Sequence, residues 1–239
     1  MAVNDIVSLL VLLAGAVASY RLRKLNAGGS VAAFATGSSI YAGMGYNGLL
    51  MLAAFFITAT WATSHKKERK AIIEGKRLHP ERRNAAQVLA NGGVAGLASV
   101  LVLVCPQHAP ILHLMAAAAL SSATADTLSS ELGMVYGRRF YDLLSGKRSV
   151  AGPDGVISLE GLLIGLGGSV MIAAIAAAGL GSWLAFFIVL LAGTAGNIAD
   201  SAAGAILERR GWMSNNGVNL LNTVLAALVA LAVGLILQV

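Results

Sequence analysis

The sequence predicts an all-α integral membrane protein, a bundle of about eight transmembrane helices that forms a single domain over residues 1–239. Hydrophobic residues make up 57% of the chain and charged residues 12%, whereas soluble domains carry about 25% charged residues. Glycine is abundant, at 28 residues, which suits helices that pack closely in lipid. A single cysteine excludes an intrachain disulfide.

Eight apolar segments approach the length that a transmembrane helix needs, which is about 20 residues. They lie at about 2–20, 28–45, 47–63, 85–104, 110–132, 156–178, 182–206 and 217–238. The second and third segments are short and meet at residues 43–47, so seven spans plus a re-entrant segment is the alternative. The first segment precedes Arg21 and has no basic residue before it, which is typical of a retained anchor.

The lysines and arginines are confined to one side of this arrangement. With eight spans, all 17 fall in the loops near 21–27, 64–84, 133–155 and 207–216. Basic loops mark the cytoplasmic side. We therefore expect cytoplasmic basic loops at about 64–84 and 133–155, both termini outside, and a location in a bacterial inner membrane. The first of these loops is expected to form a short amphipathic helix and a turn at His79-Pro80.

Two carboxylates, Asp126 and Glu131, lie near the end of the fifth segment among hydroxyls that include Thr127 and Ser130. Ionisable groups inside spans are costly, so each is a functional candidate. On a straight helix the two carboxylates lie about 140° apart, because each residue turns by about 100°. They converge on one ion only if the helix ends or unwinds near Gly133. In the alternative interpretation, the hydroxyls pack helices and the acids pair with nearby arginines.

The seventh segment carries small and polar residues on one helical stripe. They are Gly193, Gly196, Asn197, Asp200 and Gly204. Such a stripe lets another backbone or a ligand approach closely, with Asn197 and Asp200 facing it. Ordinary small-residue packing is the alternative.

Further amides and cations lie at the corresponding ends of two other spans. They are Arg82, Arg83, Gln87 and Asn91 at the start of the fourth segment, and Asn219 and Asn222 in the eighth. Within each span the amides share one face. The two arginines either contact phosphate or only set the topology.

Glycines flank Lys147 and Arg148 in the loop at 145–155, which leads into the sixth segment. Cations before a helix N-terminus favour an anion. The residue order of a Walker A motif is absent, so a flexible basic turn is the alternative.

These polar groups combine hard oxygen ligands for Mg²⁺ with cations for phosphate, at the cytoplasmic ends of spans four to eight. No histidine has the spacing of a zinc site, and no nucleophile elbow is present. The residues alone therefore indicate a phospholipid or isoprenoid-phosphate transferase.

Several motifs resemble those of the integral membrane family called domain of unknown function 92, which includes transmembrane protein 19 and phytyl-phosphate kinases of plants and cyanobacteria. Residues 125–133 resemble its A-D-T-x-[AS]-S-E-[LI]-G signature, and residues 193–204 resemble its G-x-x-G-x-x-x-D-S-x-x-G stretch. Residues 152–161 resemble its G-T-D-G-x-[VI]-S-x-x-G stretch, although Pro153 replaces the usual threonine, and Leu128 stands where tryptophan is common. Arg83, Gln87 and Asn91 match its R-x-x-x-Q-V-x-x-N pattern.

The resemblance implies phosphoryl transfer from a nucleoside triphosphate, CTP or another, to a prenyl monophosphate such as phytyl or geranylgeranyl monophosphate. It implies Mg²⁺ ligands at Asp126, Glu131 and Asp200. The phosphate contacts that it implies are Arg82, Arg83, Lys147 and Arg148. The further binding residues that it implies are Gln87, Asn91, Thr127, Ser130, Asp154, Ser158, Asn197, Ser201, Asn219 and Asn222.

Two other functions fit the same residues. One is a CTP-dependent lipid cytidylyltransferase, and the other is a lipid or ion transporter that uses Asp126 and Asp200 as coupling sites. The expected partners are membrane lipid, a prenyl monophosphate and a nucleoside triphosphate. A nucleic-acid partner is not expected, and the sequence allows a homodimer.

Overall fold

The computed structural model describes residues 3–75 and 82–239. Within them, seven helices are long and apolar enough to cross a membrane, which confirms the predicted class. The helices are α1 (Val3–Arg21), α2 (Ala27–Ser64), α3 (Lys67–Glu74), α4 (Ala85–Val104), α5 (Ala109–Tyr136), α6 (Leu159–Leu180), α7 (Trp183–Ala203) and α8 (Asn215–Ile236). A 3-10 turn, Pro106–His108, precedes α5, and a π-helical turn, Gly204–Glu208, extends α7.

The longest helix, α2, is made of two helical limbs joined at Gly45. At Gly45 the backbone adopts φ 60° and ψ −147°, a conformation that favours glycine strongly. A Cβ atom on Gly37 would lie 3.4 Å from Leu52 Cδ2, whereas a straight helix would separate these residues by about 22 Å. The chain therefore reverses at Gly45. Helix α2 consists of an N-terminal limb, 27–44, and a C-terminal limb, 46–64, so the described chain runs eight times between the two faces of the bundle.

Both ends of α2 lie at the same face of the bundle. Lys24 Nζ donates a hydrogen bond to Ser64 Oγ at 2.9 Å, and Arg83 Nη2 donates to Thr63 Oγ1 at 3.0 Å. We call this end the basic face; its described segments are 22–26, 65–75, 82–84, 137–158 and 204–214.

The two ends of the described chain lie at the opposite face. Near the start of α1, Asp5 accepts a hydrogen bond from Tyr41, which is close to the reversal at Gly45. Near the end of α8, Gly234 packs against Ile111 at the start of α5. The expectation that both termini share one side therefore agrees with the fold.

Helix α5 lies at the centre of the bundle and packs against α2, α4, α6, α7 and α8. Its middle turns are made of small, fully buried residues that include Ala116 to Ala119. Glycines on α6 allow close approach: a Cβ on Gly165 would lie only 2.9 Å from the carbonyl oxygen of Ala125. This packing holds the polar end of α5 between its neighbours.

A small antiparallel sheet, which the sequence did not predict, occupies the basic face between α5 and α6. Its strands are β1 (Phe140–Asp142), β2 (Arg148–Ser149) and β3 (Val156–Ser158), in the order β2-β1-β3. Ser158 Oγ accepts a hydrogen bond from Gly161 N at 3.1 Å and caps α6. The sixth span therefore begins at Leu159, three residues later than predicted.

The amphipathic helix predicted within 64–84 is α3. The turn predicted at His79-Pro80 lies outside the described residues.

Candidate active site

A cavity of about 1260 Å³ lies at the basic face and gathers most of the predicted site residues. Those that line it are Arg83, Gln87, Asn91, Asp126, Thr127, Ser130, Glu131, Asp154, Ser158, Asn197, Asp200, Ser201 and Asn219. Arg82, Lys147 and Arg148 are exposed and lie outside the cavity wall, and Asn222 lies behind it.

Asp126 of α5 and Asp200 of α7 form a carboxylate pair in the wall of the cavity. Asp126 is buried, and the two carboxyl groups lie within hydrogen-bonding range of each other. Two adjacent carboxylates repel each other unless they share a proton or bind a cation. The pair is therefore a candidate cation site.

Asp200 is oriented by Asn222 of α8. Asn222 Nδ2 donates to Asp200 Oδ1 at 2.6 Å, while Asn222 Oδ1 accepts from Ser122 Oγ at 3.0 Å. Asn222 is only 1% exposed. Its amide is committed to these two partners, so it positions a carboxylate and does not face the cavity.

Asn197 adds an amide oxygen to the same wall, one turn before Asp200. It is 2% exposed, and its Oδ1 finds no hydrogen-bond partner within residues 3–75 and 82–239. Buried polar groups are nearly always partnered, so this unpartnered oxygen makes Asn197 a candidate ligand-binding residue.

Glu131 lies apart from the carboxylate pair. Helix α5 continues past Gly133 to Tyr136, so the angular separation from Asp126 is kept. Among the described residues, no group of three histidine, cysteine or acidic side chains is placed to share one metal ion. The structure therefore does not bring Glu131 to Asp126 and Asp200.

Glu131 instead forms an ion pair with Lys70 of α3. Lys70 Nζ also donates to the carbonyl oxygens of Ala62 at 2.8 Å and Thr63 at 2.9 Å, and Lys70 is 5% exposed. Sequence analysis did not single out Lys70. Its one local signal is its place beside the apolar residues 71–73 of an otherwise charged segment.

Arg83 extends this group of charges. Burial lowers the pKa of the Arg83 guanidinium, and the nearby Glu131 carboxylate opposes that shift. Arg83 Nη2 is held by Thr63, as described above, which leaves other N–H donors for a ligand.

Apart from Glu131, which pairs with Lys70, the charged residues that line the cavity divide into two groups according to the elements that carry them. The cationic wall comes from the α1–α2 connection, α3 and the start of α4: Arg23, Lys24, Lys67, Lys70 and Arg83. The carboxylate wall comes from α5, the sheet region and α7 with its π-helical turn: Asp126, Asp154, Asp200 and Glu208. A ligand that bridges them must carry negative charge towards one wall and a cation towards the other.

Residues 152–155, at the end of the glycine-containing loop 145–155, form part of the carboxylate wall of the cavity. Gly155 has φ +73°, and a Cβ there would lie 2.2 Å from Ala205 Cβ of the π-helical turn. Arg209 donates to the carbonyl oxygen of Asp154 and forms an ion pair with Asp142 Oδ2 at 2.6 Å. These contacts hold residues 152–155 against the end of α7.

Asp142 carries a strongly shifted pKa. The backbone N–H of Ser145 at 2.8 Å is the main cause, and the Arg209 guanidinium and the Ser145 hydroxyl add to it. Together they lower the pKa of Asp142 to about 2.

The predicted hydroxyls donate within their own helices. Thr127 donates to the carbonyl oxygen of Ala123 at 2.9 Å, and Ser201 donates to that of Asn197 at 3.4 Å. Both residues still line the cavity. Gln87 Oε1 accepts from Asn84 N at 2.9 Å in a capping box at the start of α4.

The predicted glycine stripe of α7 serves packing. A Cβ on Gly193 or Gly196 would overlap Ser121 or Ser122 of α5. Gly193 and Gly196 therefore allow α5 to approach α7 closely, and they do not face a ligand.

The family model of the integral membrane protein DUF92 matches residues 10–227 of this chain. The chain belongs to this family. Its motifs at 125–133, 152–161 and 193–204 are those that meet at the cavity.

Several curated relatives have similar sequences. An uncharacterized membrane protein of Methanocaldococcus jannaschii is 30% identical over 95% of this chain and 93% of its own length. The chloroplastic protein VTE6 of Arabidopsis thaliana is 29% identical over 87% of this chain and 64% of its own length. An uncharacterized membrane protein of Synechocystis is 28% identical over 84% of this chain and 79% of its own. No solved structure matches the chain.

Proposed function

We propose that this protein transfers the terminal phosphoryl group of a nucleoside triphosphate, with CTP as one candidate, to a prenyl monophosphate such as phytyl or geranylgeranyl monophosphate. The products are a nucleoside diphosphate and a prenyl diphosphate. The observation that carries the proposal is the division of one cavity into a cationic and a carboxylate wall. The substrate class is suggested by the family that the motifs resemble, because that family includes phytyl-phosphate kinases.

On the cationic wall, Arg83 and Lys24 bind the phosphates of the two substrates. A guanidinium can hold two phosphate oxygens at once, whereas an ammonium acts as a point charge. Lys70 is not assigned to phosphate binding in this proposal, because its ammonium is committed to Glu131 and two carbonyl oxygens.

On the carboxylate wall, Asp126, Asp200 and the free Oδ1 of Asn197 would hold Mg²⁺. This donor set fits the ion, since protein-bound Mg²⁺ takes one or two carboxylates and completes its shell with water and substrate phosphates. Bound Mg²⁺ would supply positive charge between the phosphates of the two substrates. Asn222 keeps Asp200 in place for this role.

The reaction needs no covalent intermediate with the protein. An oxygen of the prenyl monophosphate attacks the terminal phosphorus of the nucleotide, and the bond to the bridging oxygen breaks with its electron pair leaving on the nucleoside diphosphate. The residues position the phosphates and neutralise their charge. The cavity, at about 1260 Å³, exceeds the 300–1,000 Å³ that is typical of a single small ligand, as a site for two substrates requires.

The basic face is the cytoplasmic side in this proposal. The concentration of lysine and arginine there supports the assignment, and a soluble nucleotide would reach the cavity from that side.

The test is incubation of the purified protein with Mg²⁺, each nucleoside triphosphate, and phytyl or geranylgeranyl monophosphate, followed by mass spectrometry of the products. We expect prenyl diphosphate and a nucleoside diphosphate. D200N should lose most of the activity, whereas K147M, an exposed change outside the cavity, should retain it. Release of pyrophosphate would instead assign the site to a cytidylyltransferase. Absence of turnover with every pair, when both substrates bind, would contradict the proposal.

A further inference from the structure

An apolar groove adjoins the cavity between α1 and the C-terminal limb of α2. Its volume is about 350 Å³, within the range of ligand sites. Side chains of both helices line it, among them Ala18, Leu22, Phe56, Ile57 and Trp61. Except for Ser19, Lys24, Thr60 and Ser64, its lining is apolar.

The groove and the cavity share part of their lining. Leu22, Phe56 and Thr60 line both. Lys24 lies at the junction, where its ammonium is held by Ser64 Oγ at 2.9 Å. A ligand that fills both spaces therefore needs an apolar chain followed directly by an anionic group.

The groove faces the lipid side of the bundle. Ile57 and Trp61 are 65% and 53% exposed, as expected for side chains that meet acyl chains. Helix α1 packs on α2 and leaves much of its own apolar surface exposed. An amphiphile can thus enter from the bilayer without carrying its chain through water.

We infer that this groove binds the apolar chain of a single-chain lipid monophosphate, whose head group enters the cavity beside Lys24. The inference rests on the proposed function, because this lipid is the acceptor of the phosphoryl group. It places the apolar chain of the lipid in the groove between α1 and α2 and not on another apolar surface of the bundle. Apolar contact along the chain provides the affinity, and Lys24 provides the charge that selects a phosphate head.

The experiment is photo-crosslinking of the full-length protein in nanodiscs with a long-chain alkyl monophosphate that carries a diazirine in the half of its chain nearest the head group. Labelled peptides are identified by mass spectrometry. We expect labels on 15–22 and 54–61 that phytyl monophosphate competes away and inorganic phosphate does not. A18F, which fills the groove, should reduce this labelling about tenfold, equivalent to about 1.4 kcal/mol of binding.

Two controls keep the outcome clear. V11F places the same side chain on an exposed site of α1 outside the groove and should leave the labelling unchanged. I57W narrows the groove from the α2 side and should act like A18F. Equal labelling of wild type and A18F, or labels confined to other helices, would overturn the inference even if prenyl diphosphate is made. Competed labelling without turnover would support the groove while the phosphoryl transfer fails.

Discussion

Asn222 of α8 donates a 2.6 Å hydrogen bond to Asp200 of α7, and the same amide accepts one from Ser122 of α5. Three helices are thereby connected through one buried side chain. The connection sets the orientation of Asp200 relative to Asp126 on α5, and with it the geometry of the carboxylate pair.

Replacing Asn222 by leucine should damage the carboxylate pair and leave the fold largely intact. N222L removes the donor to Asp200 and leaves Ser122 without its side-chain partner, a loss of about 1–3 kcal/mol for buried hydrogen bonds. We expect at least tenfold lower activity and a higher Mg²⁺ concentration for half-maximal rate, measured by titration of the metal. N216L makes the same change on α8 outside the cavity wall and should keep the wild-type Mg²⁺ dependence. Identical Mg²⁺ curves for wild type and N222L would rule out the positioning role.

Lys70 should be a large contributor to the stability of the basic face. K70M removes the cation that pairs with the partly buried carboxylate of Glu131. Breaking an ion pair by removing one partner costs about 3–5 kcal/mol when the pair is fully buried. We expect a lower apparent melting temperature in detergent. The double variant K70M/E131Q should recover part of the loss, because the uncompensated charge is gone. Additive losses in the double variant would show that the two residues act independently.

Much of the fold was predictable because lipid imposes strong constraints on a sequence. The segment lengths and the one-sided lysines and arginines predicted about eight spans, and the structure has seven helices long and apolar enough to cross a membrane, of which α2 reverses at Gly45. The reversal at Gly45 was left open, because periodicity does not distinguish a hairpin from a re-entrant segment. The sheet at 140–158 escaped prediction, since its strands of two or three residues are too short for an alternating pattern.

The site was predictable where residues share a helix and less so where the chain turns. Helical spacing placed Asn197 and Asp200 on one face, and the structure has both in the cavity wall. It also gave the angle between Asp126 and Glu131, but the partner of Glu131 comes from α3, about sixty residues earlier in the sequence. Such long-range pairing depends on tertiary packing, which a single sequence does not reveal.

The adjacent arginines Arg82 and Arg83 should differ sharply in function, although sequence analysis assigned them the same role. Arg83 lines the cavity and is held by Thr63, whereas Arg82 is exposed outside it. Charge-assisted hydrogen bonds are worth about 1.5–3 kcal/mol. We therefore expect R83A to raise the KM for a phosphate substrate about tenfold or more, and R82A to change it less than about twofold. Equal effects of the two substitutions would mean that the charge of the whole loop matters and the cavity contact does not.

The Asp142–Arg209 contact should make a pH-dependent contribution to stability. The pKa of Asp142 falls to about 2 in the folded chain, below its ordinary value of about 3.9. A carboxylate with a lowered pKa stabilises the fold above the ordinary value, and that contribution is lost as the pH falls towards the folded value. The difference in melting temperature between wild type and D142N should be constant from pH 8 to about 5, shrink below that, and disappear as the pH falls below about 2. A difference that grows on acidification would contradict the assignment.

Gly155 and Gly146 provide a matched pair for testing the packing of the glycine-containing loop. Both have positive φ, +73° and +65°, so alanine strains the backbone at either site by about 1–2 kcal/mol. Only at Gly155 would the new Cβ meet neighbouring atoms, at 2.2 Å from Ala205 Cβ; at Gly146 nothing lies within 4 Å. We expect G155A to displace residues 152–155 from the end of α7 and to lose both activity and thermal stability. G146A should show only the modest destabilisation that backbone strain causes, with activity retained. If both variants kept full activity, the contact between this loop and the π-helical turn would have no part in shaping the carboxylate wall.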